Sequence, residues 1–272
     1  MKFAAVQWTS GSDTEDNARR LGELVREAAD AGADVVVAPE ASSQAFGTGR
    51  LDTQAQGLDG PFATGLRELA EELGVLIVAG MFLPADTVER DGKRINRVDN
   101  AALITGRGHH LAYRKIHTYD AFSYRESDTV RPGCDDVIVD VDGLKLGLAI
   151  CYDVRFPEHF VRLARAGAEV MVLPASWAGG PGKLDAWRTL VTARALDSVS
   201  YVVAADQARL GTSAHAGDKE DTGPTGIGHS MIVDPTGAVR AEAGAEPTII
   251  YADVSADLVA ETRAALPVLD AR

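Results

Sequence analysis

Three residues with catalytic side chains stand at the ends of short apolar runs, far apart in the chain. They are Glu40, Lys115 and Cys151. A thiol can act as a nucleophile, a carboxylate can take up and return a proton, and an ammonium group can stabilise an oxyanion. If the three side chains meet, they could cleave an unactivated carbon–nitrogen bond without a metal.

Each residue also has an ordinary structural interpretation. Cys151 could be a small buried core residue, and Glu40 a solvated carboxylate at the rim of a sheet. Lys115 could be a surface lysine paired with Asp120 or Glu126. Because the three positions are far apart in sequence, spacing alone does not show that they meet.

The neighbours of Cys151 favour a reactive thiol. An apolar run precedes it, and Pro157, which suits the first turn of a helix, follows it. Amides at a helix N-terminus would lower the pKa of the thiol and make thiolate available at neutral pH. A strand-to-helix junction with an activated thiol is therefore one interpretation of Cys151, and a small buried core residue is the other.

Short β-rich runs alternate along the chain with longer segments of helical period, which is typical of an α/β domain. The pattern predicts helices at about 13–31, 62–73, 157–166 and 184–198. It predicts strands at about 2–8, 33–38, 75–82, 99–105, 109–115, 137–141, 144–150, 168–173, 201–205, 229–233, 238–242 and 248–254. The turns at 106–108 and 142–143 indicate two hairpins.

One segment recurs in the two halves of the sequence. Both AGADVVVAPE at 31–40 and AGAEVMVLPA at 166–175 end a helix at a glycine and lead into an apolar strand. This favours two related layers that face each other, although a chance match of ten residues is the alternative. Since no linker separates the halves, we expect a single domain over residues 1–272.

Three local motifs resemble those of the nitrilase superfamily of carbon–nitrogen hydrolases. VVVAPE ends at Glu40, AYRKIH surrounds Lys115, and GLAICYDVRFPE surrounds Cys151. The likeness continues in RESDTVRPG at 125–133, LPASW at 173–177, WRTLVTARALDS at 187–198 and GHSMIVDPTG at 228–237. It covers nearly the whole chain in the expected order.

The resemblance implies a role for each catalytic residue. Cys151 would be the nucleophile, Glu40 the general base and then acid, and Lys115 the oxyanion donor. Glu126 would orient the lysine and the substrate, and the backbone N–H of Tyr152 would complete the oxyanion hole. The implied reaction releases ammonia, passes through a thioester acyl-enzyme and uses no cofactor or metal.

The motif CYDVRFPE resembles the Nit branch, which hydrolyses ω-amides of dicarboxylic acids or deaminated glutathione. Arg155 would then bind a substrate carboxylate, since guanidinium offers a bidentate fork; pairing with Asp153 or Glu158 is the structural alternative. Trp177 is expected to line the pocket, with a plain core or rim aromatic as its alternative. The segment between residues 115 and 126 is shorter than in eukaryotic Nit proteins, which leaves the natural substrate open.

The resemblance also implies an αββα four-layer sandwich, with two sheets inside and helices outside. It suggests a homodimer or higher homo-oligomer that is built through the helices after Cys151 and around 187–198. The C-terminal tail, at about 255–272, could pack on a partner subunit. The polar loop at 211–228 would be a surface flap or part of a subunit contact.

Charge and composition exclude several classes of partner. The chain has 27 Lys and Arg against 40 Asp and Glu, a formal net charge of −13, and no basic cluster. Nucleic acid and anionic membranes are therefore not expected as partners, and a small-molecule amide is. An anionic substrate would need a local positive pocket, formed by Lys115, Arg155 and Arg125. The N-terminus lacks a signal-like apolar run, so we expect a cytoplasmic protein.

Other interpretations stay open at this stage. An enzyme of the same superfamily could act on deaminated glutathione, N-carbamoyl compounds or nitriles. From a different class, the chain could be a non-catalytic scaffold or binding protein, or a redox protein that pairs Cys134 with Cys151. The Cys134–Cys151 separation is not a CxxC arrangement, and the six histidines form no zinc-binding pattern.

Overall fold

A computed structural model of the chain describes residues 1–121, 124–209 and 224–270. The strands are β1 (Lys2–Gln7), β2 (Val35–Val37), β3 (Leu76–Arg90), β4 (Lys93–Gly106), β5 (His109–Arg114), β6 (Asp120–Ala121), β7 (Tyr124–Arg125), β8 (Ile138–Val141), β9 (Leu144–Leu148), β10 (Val170–Ala175), β11 (Tyr201–Asp206), β12 (Met231–Val233), β13 (Val239–Glu242) and β14 (Thr248–Asp253). The helices are α1 (Thr14–Asp30), α2 (Pro61–Leu73), α3 (Pro157–Arg165), α4 (Lys183–Ser198) and α5 (Ala256–Ala265).

Two six-stranded mixed sheets form the centre of the fold. The first has the order β14-β1-β2-β3-β4-β5 and the second the order β13-β12-β11-β10-β9-β8. Three adjacent strands are parallel in each sheet: β1, β2 and β3 in the first, and β9, β10 and β11 in the second. All other neighbouring strands in the two sheets are antiparallel. The short strands β6 and β7 pair separately.

The helices cover the outer faces of the two sheets. Leu21 of α1 and Phe62 of α2 share a core cluster with Val36 of the first sheet. Apolar residues of both sheets, Phe3 and Leu146 among them, belong to one large cluster that also receives side chains from α3 and α4. The layers therefore run helix, sheet, sheet, helix, which confirms the predicted αββα sandwich. Within the described ranges, no helix has the length and apolar character needed to cross a membrane.

The recurring segment occupies the same place in both halves. Its first copy joins α1 to β2 and its second joins α3 to β10, with Gly32 at φ +85° and Gly167 at φ +103°. Glycine suits these left-handed positions because it has no Cβ. Both strands that follow are buried on two faces, which explains their unbroken β-branched composition.

Two elements differ from the sequence expectations. The hairpin of β3 and β4 extends to Arg90 and Lys93, beyond the predicted 75–82 and 99–105, because its outer part is polar and exposed and lacks an apolar signal. The predicted tail contains α5, which packs on its own chain through the buried Val259 and the Arg263 guanidinium, 2.6 Å from the carbonyl of Ala168. Contact of the tail with a partner subunit stays a prediction.

Candidate active site

All seven site residues predicted from the sequence line one cavity between the strand ends of the two sheets. Glu40 follows β2, Lys115 follows β5, and Cys151 follows β9. The full lining comprises Glu40, Phe46, Lys115, Tyr119, Glu126, Cys151, Tyr152, Arg155, Ser176, Trp177, Ala178, Lys183 and Pro224. The fold thus brings together predicted site residues that are up to 137 positions apart, counted from Glu40 to Trp177.

A buried ammonium group lies between two buried carboxylates. Lys115 Nζ donates to Glu40 Oε1 at 2.9 Å and to Glu126 Oε2 at 2.9 Å. All three side chains are at most 2 % exposed. Burial alone would lower the pKa of Lys115, but Glu126 and Glu40 raise it well above its ordinary value. The lysine is therefore a fixed cation, and the alternative of a surface lysine is wrong.

Glu126 is held from the backbone side as well. Glu126 Oε2 accepts a hydrogen bond from the Tyr119 N–H at 2.6 Å. Glu126 is also the first residue of a 3-10 turn, Glu126–Asp128. This arrangement fixes the carboxylate beside the Lys115 ammonium group. The geometry agrees with an orienting role for Glu126.

Glu40 sits on a tight turn that depends on a neighbouring glycine. Ala41 has φ +60°, and a Cβ on Gly80 would lie 2.5 Å from Glu40 Cα. The Gln207 side chain donates to the Glu40 carbonyl at 2.8 Å, and the Ser176 N–H donates to Glu40 Oε2 at 2.9 Å. Backbone and side chain of Glu40 are thereby both fixed.

The environment raises the pKa of Glu40. Burial is the main cause, Lys115 opposes it, and the nearby Glu126 carboxylate adds to the increase. A carboxyl group shifted upward in this way is suited to accept and then return a proton. It is no solvated rim residue, because only 1 % of it is exposed.

Cys151 lies at the end of the strand segment in a strained backbone conformation, with φ +44°. Such a conformation is unfavourable for a residue with a Cβ and marks a position held by its surroundings. The Asp153 carboxylate supports the turn by accepting the Ile150 N–H at 2.8 Å. The thiol lies 3.8 Å from the Ser176 carbonyl, which accepts its hydrogen bond.

The structure does not favour a lowered thiol pKa. Cys151 opens a 3-10 turn, Cys151–Arg155, and α3 begins only at Pro157, six residues further on. Burial raises the pKa of Cys151 well above its ordinary value; Glu40 adds to this increase and Lys115 opposes it. The thiol is therefore neutral and needs a base.

Behind Cys151, the buried Asp153 carboxylate joins two segments of the site. It accepts the Tyr113 hydroxyl at 2.8 Å and both the backbone N–H, at 3.0 Å, and ring nitrogen Nδ1, at 2.7 Å, of His117. The segment after Lys115 is thus tied to the turn after Cys151. Because these donors occupy Asp153, it is not the ion-pair partner of Arg155.

Two cations stand at the mouth of the cavity. The Arg155 guanidinium lies 5.1 Å from the ring centre of Trp177 and 5.9 Å from that of Tyr152. Among residues 1–121, 124–209 and 224–270, no carboxylate comes within 4.0 Å of it, so the predicted alternative of a pair with Asp153 or Glu158 is wrong. Lys183 Nζ lies 5.9 Å from the ring centre of Tyr119.

The predicted positive pocket has a different third member. Arg125 points away from the cavity, is 66 % exposed, and approaches Asp128 at 3.6 Å. Lys183 takes its place in the lining. Burial lowers the pKa of Lys183, and the nearby Arg155 lowers it further.

Trp177 is both a lining residue and a well-anchored one. It is 4 % exposed, its indole N–H donates to the Lys183 carbonyl at 3.0 Å, and its backbone N–H donates to Asp206 Oδ1 at 2.7 Å. Burial raises the pKa of Asp206 well above its ordinary value. The strand end that carries Trp177 is therefore a rigid wall of the cavity.

Sequence reasoning missed three contributors: Asn100, Ser176 and Lys183. Asn100 donates to both buried carboxylates, and one signal pointed to it, namely two adjacent polar residues, Asp99 and Asn100, inside an apolar strand. Ser176 acts through its backbone, which residue type does not reveal. Lys183 begins α4, and the sequence does not reveal the direction of its side chain.

The remaining sequence hypotheses concern other positions. Cys134 is exposed and Cys151 is buried, and both thiols are free. Of the loop predicted at 211–228, residues 211–223 lie outside the described residues, while Pro224 lines the cavity. In the part of the chain that the structure describes, no group of three His, Cys, Asp or Glu side chains is arranged to hold a metal ion.

Comparisons with known proteins agree with this geometry. The carbon-nitrogen hydrolase family matches residues 2–264. A deaminated glutathione amidase of Escherichia coli O157:H7 is 35 % identical over 276 residues, with 100 % of this chain and 97 % of the relative covered. An omega-amidase of Danio rerio is 31 % identical over 282 residues, with 100 % of this chain and 94 % of the relative covered.

A solved structure shows the same fold. The Nit3 protein of Saccharomyces cerevisiae, a member of branch 10 of the nitrilase superfamily, superposes with a TM-score of 0.81 at 29 % sequence identity. The superposition covers 100 % of this chain and 96 % of Nit3.

Proposed function

We propose that this protein cleaves small linear carboxamides that carry a carboxylate. The chain belongs to the carbon–nitrogen hydrolase family and is an enzyme that hydrolyses carbon–nitrogen bonds other than peptide bonds. The observation that carries this proposal is the cavity itself. A neutral buried thiol shares it with a carboxyl group of raised pKa and a fixed ammonium group. Arg155, which has no carboxylate partner among the described residues, also lines it.

In the first half of the proposed reaction, Cys151 Sγ attacks the amide carbonyl carbon while Glu40 takes the thiol proton. The carbonyl oxygen becomes an oxyanion that Lys115 Nζ and the Tyr152 N–H stabilise. When the oxyanion collapses, the carbon–nitrogen bond breaks and the nitrogen takes the proton from Glu40. Ammonia leaves, and a thioester on Cys151 remains.

In the second half, Glu40 takes a proton from a water molecule whose oxygen attacks the thioester carbon. The new oxyanion forms in the same place and collapses, which breaks the carbon–sulfur bond. Glu40 returns its proton to the departing sulfur, so the carboxylic acid is released and the thiol is restored. The raised pKa of Glu40 supports this alternation, since each step needs both its protonated and its ionised form.

The cations of the cavity support a substrate that carries a carboxylate. Arg155 and Lys183 line the cavity in a protein of net charge −13, so they concentrate positive charge at the site. A carboxylate at the far end of the amide would bind these two cations while the amide reaches Cys151. The omega-amidase and deaminated glutathione amidase relatives support this class.

The test compares amides that differ only in that carboxylate. Ammonia release from succinamate and from butanamide is measured, together with deaminated glutathione, N-carbamoyl amino acids and short nitriles. We expect succinamate to be hydrolysed at least about tenfold more efficiently than butanamide, the scale of one charge-assisted contact. Equal rates for the two amides would contradict the carboxylate preference.

Intact-protein mass spectrometry of the same mixtures addresses the mechanism separately. A mass increase equal to the acyl group, lost in the Cys151→Ser protein or converted there to a stable ester, is expected. If no amide, carbamoyl compound or nitrile releases ammonia and no adduct forms, the chain is not the hydrolase proposed, and a scaffold role gains support.

A further inference from the structure

The Asn100 side chain occupies a central position between the two buried carboxylates. It lies in β4, is 1 % exposed, and its amide nitrogen is 2.7 Å from Glu40 Oε1 and 2.8 Å from Glu126 Oε1. A primary amide nitrogen carries two hydrogens. Both are therefore donated to carboxylate oxygens.

Asn100 and Lys115 form a pair of neighbouring donors. The Lys115 N–H donates to the Asn100 carbonyl at 2.9 Å, which places the residues side by side across the two strands. Lys115 Nζ contacts the same oxygens, Glu40 Oε1 at 2.9 Å and Glu126 Oε1 at 3.2 Å. Two negative charges thus share one positive charge and one neutral donor.

The other end of the amide shows why it is oriented this way. Asn100 Oδ1 is buried and has no hydrogen-bond partner among the described residues. The reversed amide would turn this oxygen toward two carboxylate oxygens, which are acceptors when ionised. The buried carbonyl is thus left unpaired, which is unfavourable, and the contact with the carboxylates outweighs that penalty.

Asn100 is absent from the residues that line the cavity. Its hydrogen-bond partners, Glu40 and Glu126, are both lining residues. This placement points to an indirect role, through the Glu40 carboxylate.

We infer that Asn100 is a positioning residue that keeps Glu40 ionised and aimed at Cys151, by sharing its two N–H groups between Glu40 and Glu126. The inference rests on the proposed function, because it needs Glu40 as the base. A neutral donor suits this place, since a second cation would hold the carboxylate too firmly for it to accept a proton.

The sign of the expected effect follows from the charges. Burial and Glu126 raise the pKa of Glu40, while Lys115 and the Asn100 amide oppose them. Without the amide donors, Glu40 becomes protonated at a higher pH and stops acting as a base there. Activity is then lost earlier as the pH falls.

The experiment compares Asn100→Leu, which keeps the branched shape of the side chain but has no donor, with the wild type and with Asn96→Leu. Asn96 lies in the same strand but is exposed and is not among the residues that line the cavity. The dependence of kcat/KM on pH is measured with the best amide of the panel. We expect the acid limb of Asn100→Leu to move up by about one pH unit or more, with Asn96→Leu unchanged.

Each outcome decides the matter. A uniform loss of kcat/KM at all pH values, or an unchanged acid limb, would show a structural role only and overturn the inference. If Asn100→Leu does not fold, Asn100→Ser, which keeps one donor, should give a smaller shift of the same sign, and failure of both to fold counts against a positioning role. A wild-type protein with no activity would refute the proposed function instead.

Discussion

The two halves of the molecule have the same topology and different chemistry. The strand order β14-β1-β2-β3-β4-β5 of the first sheet corresponds, strand by strand, to the order β8-β9-β10-β11-β12-β13 of the second. The helices α1 and α2 then correspond to α3 and α4. The agreement extends to single hydrogen bonds. The Lys2 N–H donates to Asp34 Oδ2 at 2.8 Å, and the Lys145 N–H donates to Glu169 Oε2 at 3.1 Å.

The strand registers align the halves residue by residue. Val35 pairs with Phe3 in the first sheet, and Val170 pairs with Leu146 in the second. Counting five residues onward from Phe3 and Leu146, the position of Cys151 corresponds to Trp8. Counting onward from the two valines in the same way, Glu40 corresponds to Ala175, and through the next strand Gly80 corresponds to Ala205.

The comparison shows that the two halves differ in the residues that follow the ends of their strands, where the candidate active site lies. The first half supplies Glu40 and Lys115, and the second supplies Cys151 and the cations at the mouth. Neither half contains a complete site. Ser176 joins them, because its N–H holds Glu40 of the first half while its carbonyl accepts the Cys151 thiol of the second.

The largest effect is expected from the aligned positions Cys151 and Trp8. Cys151→Ala removes the nucleophile and should lower turnover by about 10⁴-fold or more, since no other thiol reaches the cavity. Trp8→Phe in the other half removes an indole N–H that has no partner in the described residues and should retain activity. Ammonia release measures both. Near-normal turnover by Cys151→Ala would break the comparison.

Gly80 and Ala205 give the next largest difference. A Cβ at Gly80 would lie 2.5 Å from both Glu40 Cα and the Ala41 nitrogen, so Gly80→Ala must displace the base. Misplacing a catalytic group by about 1 Å lowers rates by about 10²-fold, which is the expected loss of kcat. Ala205→Gly should leave kcat unchanged and only reduce stability, by about 0.5–1 kcal/mol. Equal kcat losses in the two variants would show that the halves are not specialised here.

Arg155 and Arg125 test which arginine belongs to the site. Arg155→Met should raise KM for succinamate about tenfold, the scale of one hydrogen bond to a charged group, and leave KM for butanamide unchanged. Arg125→Met removes an exposed arginine beside Asp128 and should change neither KM. Steady-state kinetics with both amides measure these effects. A KM increase in Arg125→Met would contradict the assignment of Arg155, and not Arg125, to the substrate cavity.

The smallest effects are expected where the halves are alike. Asp34→Ala and Glu169→Ala each remove an acceptor for the backbone N–H of the aligned lysine. Each should lower the free energy of unfolding by about 1 kcal/mol or less, with turnover unchanged. Urea unfolding followed by circular dichroism measures this. A strong loss of turnover in one variant alone would show that this shared contact serves the site.

Helix positions were predictable because helix ends carry local signals. Asp13 accepts the Asp16 N–H at 2.8 Å as the N-cap of α1, and Gly74 ends α2 with φ +67°. Strand pairing depends on residues distant in sequence, so the return of β14 to β1 was not foreseen. The recurring segment favoured two related layers, and the family resemblance implied the four-layer packing.

The site was predictable only as far as residue type reveals a role. Glu40, Lys115 and Cys151 stand out because few side chains do their chemistry, and local motifs mark them. The pKa of the Cys151 thiol cannot be predicted from a helix start that is near it in sequence. Burial and the Glu40 charge, both products of the tertiary fold, dominate instead.

The pairing of β14 with β1 has a consequence for folding during synthesis. Lys2 pairs with Asp253 across these two strands. β1 therefore cannot form this pairing until β14, about 250 residues later in the chain, has been synthesised. During synthesis, β1 therefore presents an open edge on one side until about residue 253 leaves the ribosome. Closure of the first sheet is a late, long-range event, and exposure to aggregation and to chaperones is concentrated in the interval before it.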